Sequence, residues 1–286
     1  MKSLNEGFTK EYLSKLENIS LEIQKRIQSL SYNGARKSNT KGSSIEFSDF
    51  RNYSIGDDLR RIDWNSYARF DRLFMKLFTE EKQASINLFL DCSASMSEKK
   101  QWYSKMLTAS LAYISLKNMD KVNLFICGKS MRASKLNLQS KNSFLDVIHF
   151  LDFVSASGET NLYESIKESM RLPIGEGISV ILSDFFTEGS YKEAVKLLQS
   201  KRQTIILIQV LSKEEEEPSL QGAVQLLDSE SREVKEIEIS PEILREYKNA
   251  LKNYKNELKE FSKNRGIQFI DVSTDSPLLK TMNRLL

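Results

Sequence analysis

Along residues 8–31 the apolar positions Phe8, Tyr12, Leu16, Ile19, Ile23, Ile27 and Leu30 recur at steps of three and four. That spacing predicts an amphipathic helix, broken at Asn33-Gly34. The polar stretch ARKSNTKGSS that follows has no periodicity and predicts an exposed loop. Aromatic and charged residues then interleave as far as RLFMKLFTEE. Its alternation predicts a strand with Leu73, Met75 and Leu77 on one face and Phe74, Lys76 and Phe78 on the other.

From residue 83 to 211 the pattern changes. Short runs that are apolar on both faces (84–91, 122–127, 178–184 and 204–211) alternate with helical stretches at 98–118, 140–153, 161–171 and 190–200. Doubly apolar strands separated by helices predict a parallel sheet covered on both sides. Beyond 211, KEEEEPS predicts a solvated charged loop. GAVQLLDSESREVKEIEIS predicts two short strands around a Ser-rich turn. Pro241 opens a helix to about 265, GIQFIDVS predicts a last strand, and 276–285 a last helix. These elements predict one further β unit on the sheet. The expected fold class is therefore α/β, a doubly wound, mostly parallel, Rossmann-like sheet. An N-terminal helix and an aromatic and charged extension (1–82) are expected to pack on a domain spanning 83–286.

Composition supports a folded chain. Of 286 residues, 40% are hydrophobic and 28% charged, enough for a core. The net charge of +3, with bases and acids interleaved, argues against a nucleic-acid binder. Cys92 and Cys127 lie in or beside apolar runs and predict buried thiols in a reducing compartment, with no CxxC pair. The N-terminal stretch lacks a continuous apolar core of the secretory type, and no run approaches the roughly 18–20 apolar residues of a membrane span. A cytoplasmic protein without a direct membrane span is expected.

The chemistry gathers at strand ends. Asp91-Cys-Ser93-Ala-Ser95 follows the first strand of the α/β zone, where doubly wound sheets place ligands. A Gly-containing turn at Ser157-Gly158-Glu159-Thr160 offers the Thr160 hydroxyl, and Ser183-Asp184 ends a later strand with a carboxylate. Asp91, Ser93, Ser95, Thr160 and Asp184 are hard oxygen donors, suited to Mg²⁺, Mn²⁺ or Ca²⁺ and not to Zn²⁺. The blander alternative is that Asp and Ser after a strand serve as turn and cap residues.

Taken in order, DCSAS, a Gly-x-Thr turn and a strand-ending Asp resemble the metal-ion-dependent adhesion site of von Willebrand factor A domains. Asp91, Ser93 and Ser95 match its first element, Thr160 the second and Asp184 the third. The resemblance implies a von Willebrand factor A-like fold and a metal that grips an acidic residue of a partner. A longer motif comprises Arg51, Tyr53, Gly56, Asp57, Asp58, Arg60, Asp63, Trp64 and Arg69. It is similar to the signature of the bacterial family called domain of unknown function 58, over roughly residues 30–190. That resemblance implies cytoplasmic or membrane-tethered proteins, often encoded beside MoxR-type AAA+ ATPases. The GDDLRRIDW segment itself reads as a structural clamp pinning the extension to the core, a partner surface, or a catalytic carboxylate cluster. Arg–carboxylate pairs suit the first two.

Other motifs carry less. Gly128-Lys129-Ser130 looks like the end of a phosphate loop, but Asn123 stands where that motif needs Gly. Position 93 is Ser, not the second carboxylate of a DxD phosphatase. His149, the only histidine, is expected as a packed helix residue, so Ser-His-Asp and Cys-His mechanisms lack a member. The expectation is a non-enzymatic, metal-dependent protein–protein interaction module, with a MoxR-type ATPase as implied partner in assembly or chaperone-like remodelling. The alternative is a Mg²⁺-dependent hydrolase using the same metal.

Overall fold

The computed structural model describes residues 3–19, 45–80, 84–96, 98–187, 190–220, 222–229 and 233–285. The chain divides into two compact units, Met1–Leu30 together with Ala84–Leu286, and Ser31–Gln83. The second half of the predicted first helix, from residue 20, and the loop at 33–44 lie outside the described residues.

The larger unit is built on a six-stranded sheet. Its strands are β3 (Ser85–Asp91), β4 (Lys121–Cys127), β5 (Met131–Leu138), β6 (Gly177–Ser183), β7 (Thr204–Leu211) and β10 (Gln268–Ser273), in the order β10-β7-β6-β3-β4-β5. All neighbours run parallel except β5, which returns antiparallel to β4 at the edge. From β3 the chain moves to β4 on one side, then crosses to β6 on the other. That reversal places a topological switch point at the carboxyl ends of β3 and β6.

Alternation along each strand divides the core into two layers. Ile86, Leu88 and Leu90 of β3 point with Leu124, Val180 and Val210 into one layer. It is covered by α4 (Glu98–Lys117), α5 (Phe144–Asp152) and α10 (Leu278–Arg284). Phe89 stacks on Phe125 in the other, at 4.7 Å between ring centroids, beneath α6 (Leu162–Ser169), α7 (Ser190–Ser200) and α9 (Pro241–Asn264). The N-terminal segment forms a short helix, α1 (Leu4–Gly7), capped by Ser3, and residues 10–19 form α2. Leu4, Phe8, Leu16 and Ile19 bury themselves in the α4–α5 layer, and Tyr12 donates or accepts a 2.9 Å bond with Ser110.

One expectation needs correction, and one strand is added to those predicted. MRASKLNL, for which no element is predicted, forms β5. Its residues are mostly half-buried, as befits an edge strand, so it lacks the apolar run that marks its neighbours. The one further β unit expected on the sheet is β10, which runs parallel to β7, and among the described residues the two short strands β8 (Gly222–Leu227) and β9 (Val234–Ile239) pair with each other. KEEEEPS is not simply a solvated loop, because Lys213–Glu216 forms one helical turn, α8. Ser212 and Glu215 close its amino end as a capping box.

The smaller unit pairs β1 (Ile45–Asn52) antiparallel with β2 (Phe74–Glu80), joined through a 3-10 turn (Leu59–Arg61) and α3 (Trp64–Phe70). The family-signature residues fold this connection. Arg51 grips Asp57 with two bonds of 2.7 and 2.6 Å, and Asp57 also accepts the Ser54 N–H. Asp58 caps the 3-10 turn and pairs with Arg60. Asp63 accepts from Ser66 and pairs with Lys76 at 3.1 Å. Tyr53 donates its backbone N–H to Leu73 O, and Gly56 takes φ +103, a conformation that disfavours a side chain. These pairs join residues of the unit to one another. Trp64, 58% exposed, packs edge-on against Tyr67, and Arg69 is exposed.

Candidate functional site

The five predicted donors come from three loops at the carboxyl ends of β3 and β6. Asp91 ends β3 and is 1% exposed. The loop after it is held by main-chain bonds. Ala94 N–H donates to Gly158 O at 2.8 Å and Ser157 N–H to Cys92 O at 3.0 Å, so the Thr160 loop is stitched to the Ser93 loop. Gly158 supports that turn at φ +62.

Asp91 is the hub. Its Oδ1 accepts from Thr160 Oγ1 at 2.5 Å and from Ser93 N–H at 3.0 Å, and its Oδ2 accepts from Ser183 Oγ at 2.5 Å. Ser93 and Ser95 hydroxyls share a 2.9 Å bond. The structure thus brings Asp91, Ser93, Ser95 and Thr160 into one hydrogen-bonded cluster. Burial pushes the Asp91 carboxyl above the usual carboxylate range, and the negative charge of Asp184 pushes it further. The bonds from Ser183, Thr160 and Ser93 oppose both effects.

Asp184 lies close enough to act on Asp91 electrostatically, but its direct contacts are elsewhere. Its Oδ1 accepts from Phe186 N–H at 3.1 Å and its Oδ2 from the Lys100 ammonium at 2.8 Å. Lys100, in the first turn of α4, also donates to Glu215 Oε1 at 2.6 Å. Burial pulls the Lys100 ammonium down, but the charges of Asp184 and Glu215 outweigh it, and it stays protonated above its ordinary value. Phe185 holds a left-handed backbone at φ 60 with its ring buried. Ser183 Oγ accepts its N–H, and the Tyr254 hydroxyl donates to its carbonyl. A bulky residue in that conformation is unusual, and such strain gathers at functional loops.

Sequence reasoning missed Ser183, Lys100, Glu215 and Phe185. Ser183 was adjacent to a named residue but carried no separate signal. Lys100 stands in the charged run EKKQWYSK, which resembles a solvated helix face. His149 departs from expectation too. It lies on α5 but is exposed, because Val147, Ile148 and Leu151 take the inward side of the helix. Gly128-Lys129-Ser130 forms the β4–β5 turn, where Gly128 N–H donates to Ser130 O. Beside the Thr160 loop an open pocket of about 400 Å³ is lined by Lys129, Ser130, Arg132, Gly158 and Glu159. Both cysteines are buried free thiols, and burial pushes Cys92 up to about 12 and Cys127 well above its ordinary value.

The donor chemistry is compatible with a hard divalent cation. All the donors are oxygens. The carboxylates of Asp184 and Glu215 share the Lys100 ammonium, and Asp91 is held by hydroxyl and backbone donors. Among the described residues no group of three or more His, Cys, Asp and Glu is placed to hold a metal, so any such site relies on hydroxyls. No helix among them is long and apolar enough to cross a membrane.

A family model described as "Protein of unknown function DUF58" matches residues 49–257. The uncharacterized protein Rv1480 of Mycobacterium tuberculosis is 22% identical over 253 residues, covering 86% of this chain and 80% of the relative. Among solved structures, the conserved hypothetical protein BatB from Bacteroides thetaiotaomicron is similar at 15% identity and a TM-score of 0.44, over 70% of this chain and 96% of that one. The von Willebrand factor type A structure from Catenulispora acidiphila is similar at 14% identity and a TM-score of 0.38, over 48% of this chain and 35% of that one.

Proposed function

The chain belongs to the DUF58 family, and from that premise we propose that it is a metal-dependent protein-binding module whose contact point is the Asp91 cluster. One observation carries this reading: three separate loops deliver a carboxylate and the hydroxyls of Ser93, Ser95, Thr160 and Ser183 to a single hydrogen-bonded group at the sheet's switch point. Ser93, Ser95 and Thr160 would hold Mg²⁺, or Mn²⁺ or Ca²⁺, directly, with Asp91 and Asp184 acting directly or through water. A bound cation held mostly by hydroxyls supplies an electron-poor centre that attracts an outside carboxylate.

The chain's own residues do the remainder. Asp91 orders the Thr160 and Ser93 donors, and Ser183 fixes the far oxygen of Asp91. Lys129 and Arg132 line the adjoining pocket and favour an acidic partner, although each already has contacts, with Glu159 and with the Ser157 loop. The family resemblance points to a MoxR-type AAA+ ATPase as that partner, within the cytoplasm. A hydrolase using the same metal is less well supported. Glu159, the acid nearest the metal loops in sequence, is exposed and paired with Lys129 at 3.2 Å.

Calorimetry with Mg²⁺ and Mn²⁺ tests the metal. Pull-down from native extract with and without chelator tests the partner. Absence of metal binding at millimolar concentration, or a complex indifferent to chelator, overturns the reading. Mg²⁺-dependent turnover of phosphate esters would favour the hydrolase instead.

A further inference from the structure

A lysine inside a protein is expensive unless it is paired, and Lys100 has 1% of its side chain exposed. It is paired twice, to Asp184 at 2.8 Å and Glu215 at 2.6 Å. The partners differ in setting. Asp184 is as buried as the lysine, while the Glu215 side chain is 29% exposed. Glu215 has other work as well, because its Oε2 accepts the Ser212 N–H in the α8 capping box. The ammonium therefore sits between an inner carboxylate at the switch point and an outer one at the rim.

This arrangement commits Asp184. Both of its oxygens already have donors, Phe186 N–H on one and Lys100 on the other. Direct coordination through Oδ2 would require the ammonium to leave, and α4 anchors its stem in the core. Asp184 and Asp91 are also both buried at one edge and repel each other. Without a positive charge beside them, that edge would be poorly stable when empty.

We propose that Lys100 is a built-in counter-ion that sets how tightly the Asp91 cluster holds a divalent cation. Its charge stabilises the empty site and competes with the cation for Asp184, making loading weak and reversible. Glu215 moderates the competition by drawing part of the ammonium's charge outward. This inference rests on the metal reading above and assigns Lys100 and Glu215 as residues that tune the site without touching the metal.

The two variants have opposite expected signs. Lys100→Met keeps an unbranched side chain one atom shorter but removes competitor and like charge together, so Mn²⁺ should bind about tenfold more tightly or better. Glu215→Gln leaves the ammonium to Asp184 alone and removes a negative charge, so Mn²⁺ should bind about threefold or more weakly. The measurement is free Mn²⁺ by electron paramagnetic resonance during titration of the full chain. Thermal melts in chelator accompany it, where Lys100→Met should melt below wild type yet gain more from added Mn²⁺. Wild type that binds Mn²⁺ beside a Lys100→Met variant of equal or lower affinity overturns the role of Lys100 and leaves the metal reading standing. Binding by Lys100→Met alone supports the counter-ion and overturns metal dependence of the natural chain. No binding by either overturns both. If Lys100→Met does not fold, Glu215→Gln decides, and unchanged or tighter binding by it overturns the proposal.

Discussion

Thr160 Oγ1 donates a 2.5 Å hydrogen bond to Asp91 Oδ1 across a sequence separation of 69 residues. The bond joins the loop before α6 to the end of β3, so a single hydroxyl reports whether the two loops are in register. Thr160 is half-buried, and Asp91 keeps its Ser93 and Ser183 donors when that hydroxyl is removed. Thr160→Ala should therefore fold, with about 1–2 kcal/mol lost from unfolding stability. Under the metal reading its Mn²⁺ affinity should drop by about tenfold or more. Chemical denaturation and calorimetry on one preparation separate the two effects, and a variant with wild-type metal affinity would remove Thr160 from the site.

A second prediction concerns Asp120, whose carboxylate accepts the Ala84 N–H at 3.0 Å where the chain enters β3. Burial pushes its pKa from 3.8 up to about 6. The native state then binds this proton more tightly than the unfolded chain does. The stabilisation is complete below 3.8 and is lost as pH rises through about 6. Asp120→Asn keeps the acceptor without the charge. It should stabilise the protein by about 1–2 kcal/mol at pH 7, after discounting for partial solvent access, and have little effect below pH ~4. Urea denaturation at several pH values checks this, and an equal effect at all pH values would rule the mechanism out.

Gly177 opens β6 directly opposite Ser85 of β3. A Cβ built there would stand 1.9 Å from the Ser85 carbonyl oxygen, which is backbone and has little freedom to retreat. Gly177→Ala should cost more than about 3 kcal/mol, or shift the β3–β6 pairing that frames the Asp91 cluster. A melting temperature within two or three degrees of wild type, on the order of 1 kcal/mol for a chain this size, would contradict the close approach.

Near the same amino ends of the strands, away from the Asp91 cluster, Asn123 donates to Asn87 at 2.8 Å and Asn87 to Gln203 at 3.1 Å, with Ser179 donating to the same Gln203 oxygen. All four residues are buried. Asn87→Ala would strand partners on both sides and should cost about 2–4 kcal/mol. Unfolding in urea measures it, and a cost below about 0.5 kcal/mol would show that the bonds do not act as a network.

Thiol chemistry offers a simple check on the core. Cys92 and Cys127 are both fully buried, with thiol pKa values raised by burial. Neither should react with iodoacetamide at pH 8 in the native protein, and both should react in denaturant. Labelling of one cysteine in the native state would mean that its strand end opens locally.

The parts of this molecule that were legible in its sequence are those whose signal is local. β3, β4, β6 and β7 are apolar on both faces, and a parallel sheet with helices on each side follows from that alone. Asp91, Ser93, Ser95 and Thr160 were readable because strand ends and turns announce themselves. What stayed hidden depends on distant neighbours. Met131–Leu138 alternates weakly because an edge strand is buried on few sides. Lys100 resembles its exposed neighbours Glu98 and Lys99, and only the approach of Asp184 and Glu215 distinguishes it. The polar residues Gln101, Ser104 and Lys105 are buried on α4 too, so the helix lacks the polar stripe that would have shown which side faces water. The ion pairs of Arg51, Asp57 and Asp63 were visible as a motif, but not which acid each base would take.

The Lys100 bonds have a consequence for the order of events during synthesis. The lysine reaches Asp184 across 84 residues and Glu215 across 115. A chain emerging from the ribosome therefore displays the DCSAS loop long before the Thr160 loop, and the Thr160 loop before α8. Until the last of these arrives, Lys100 lacks its outer carboxylate and the edge lacks its final charge balance. Contacts of such long sequence separation form late and together. A chain cut before α8 therefore carries the DCSAS motif but lacks the outer carboxylate that pairs with Lys100.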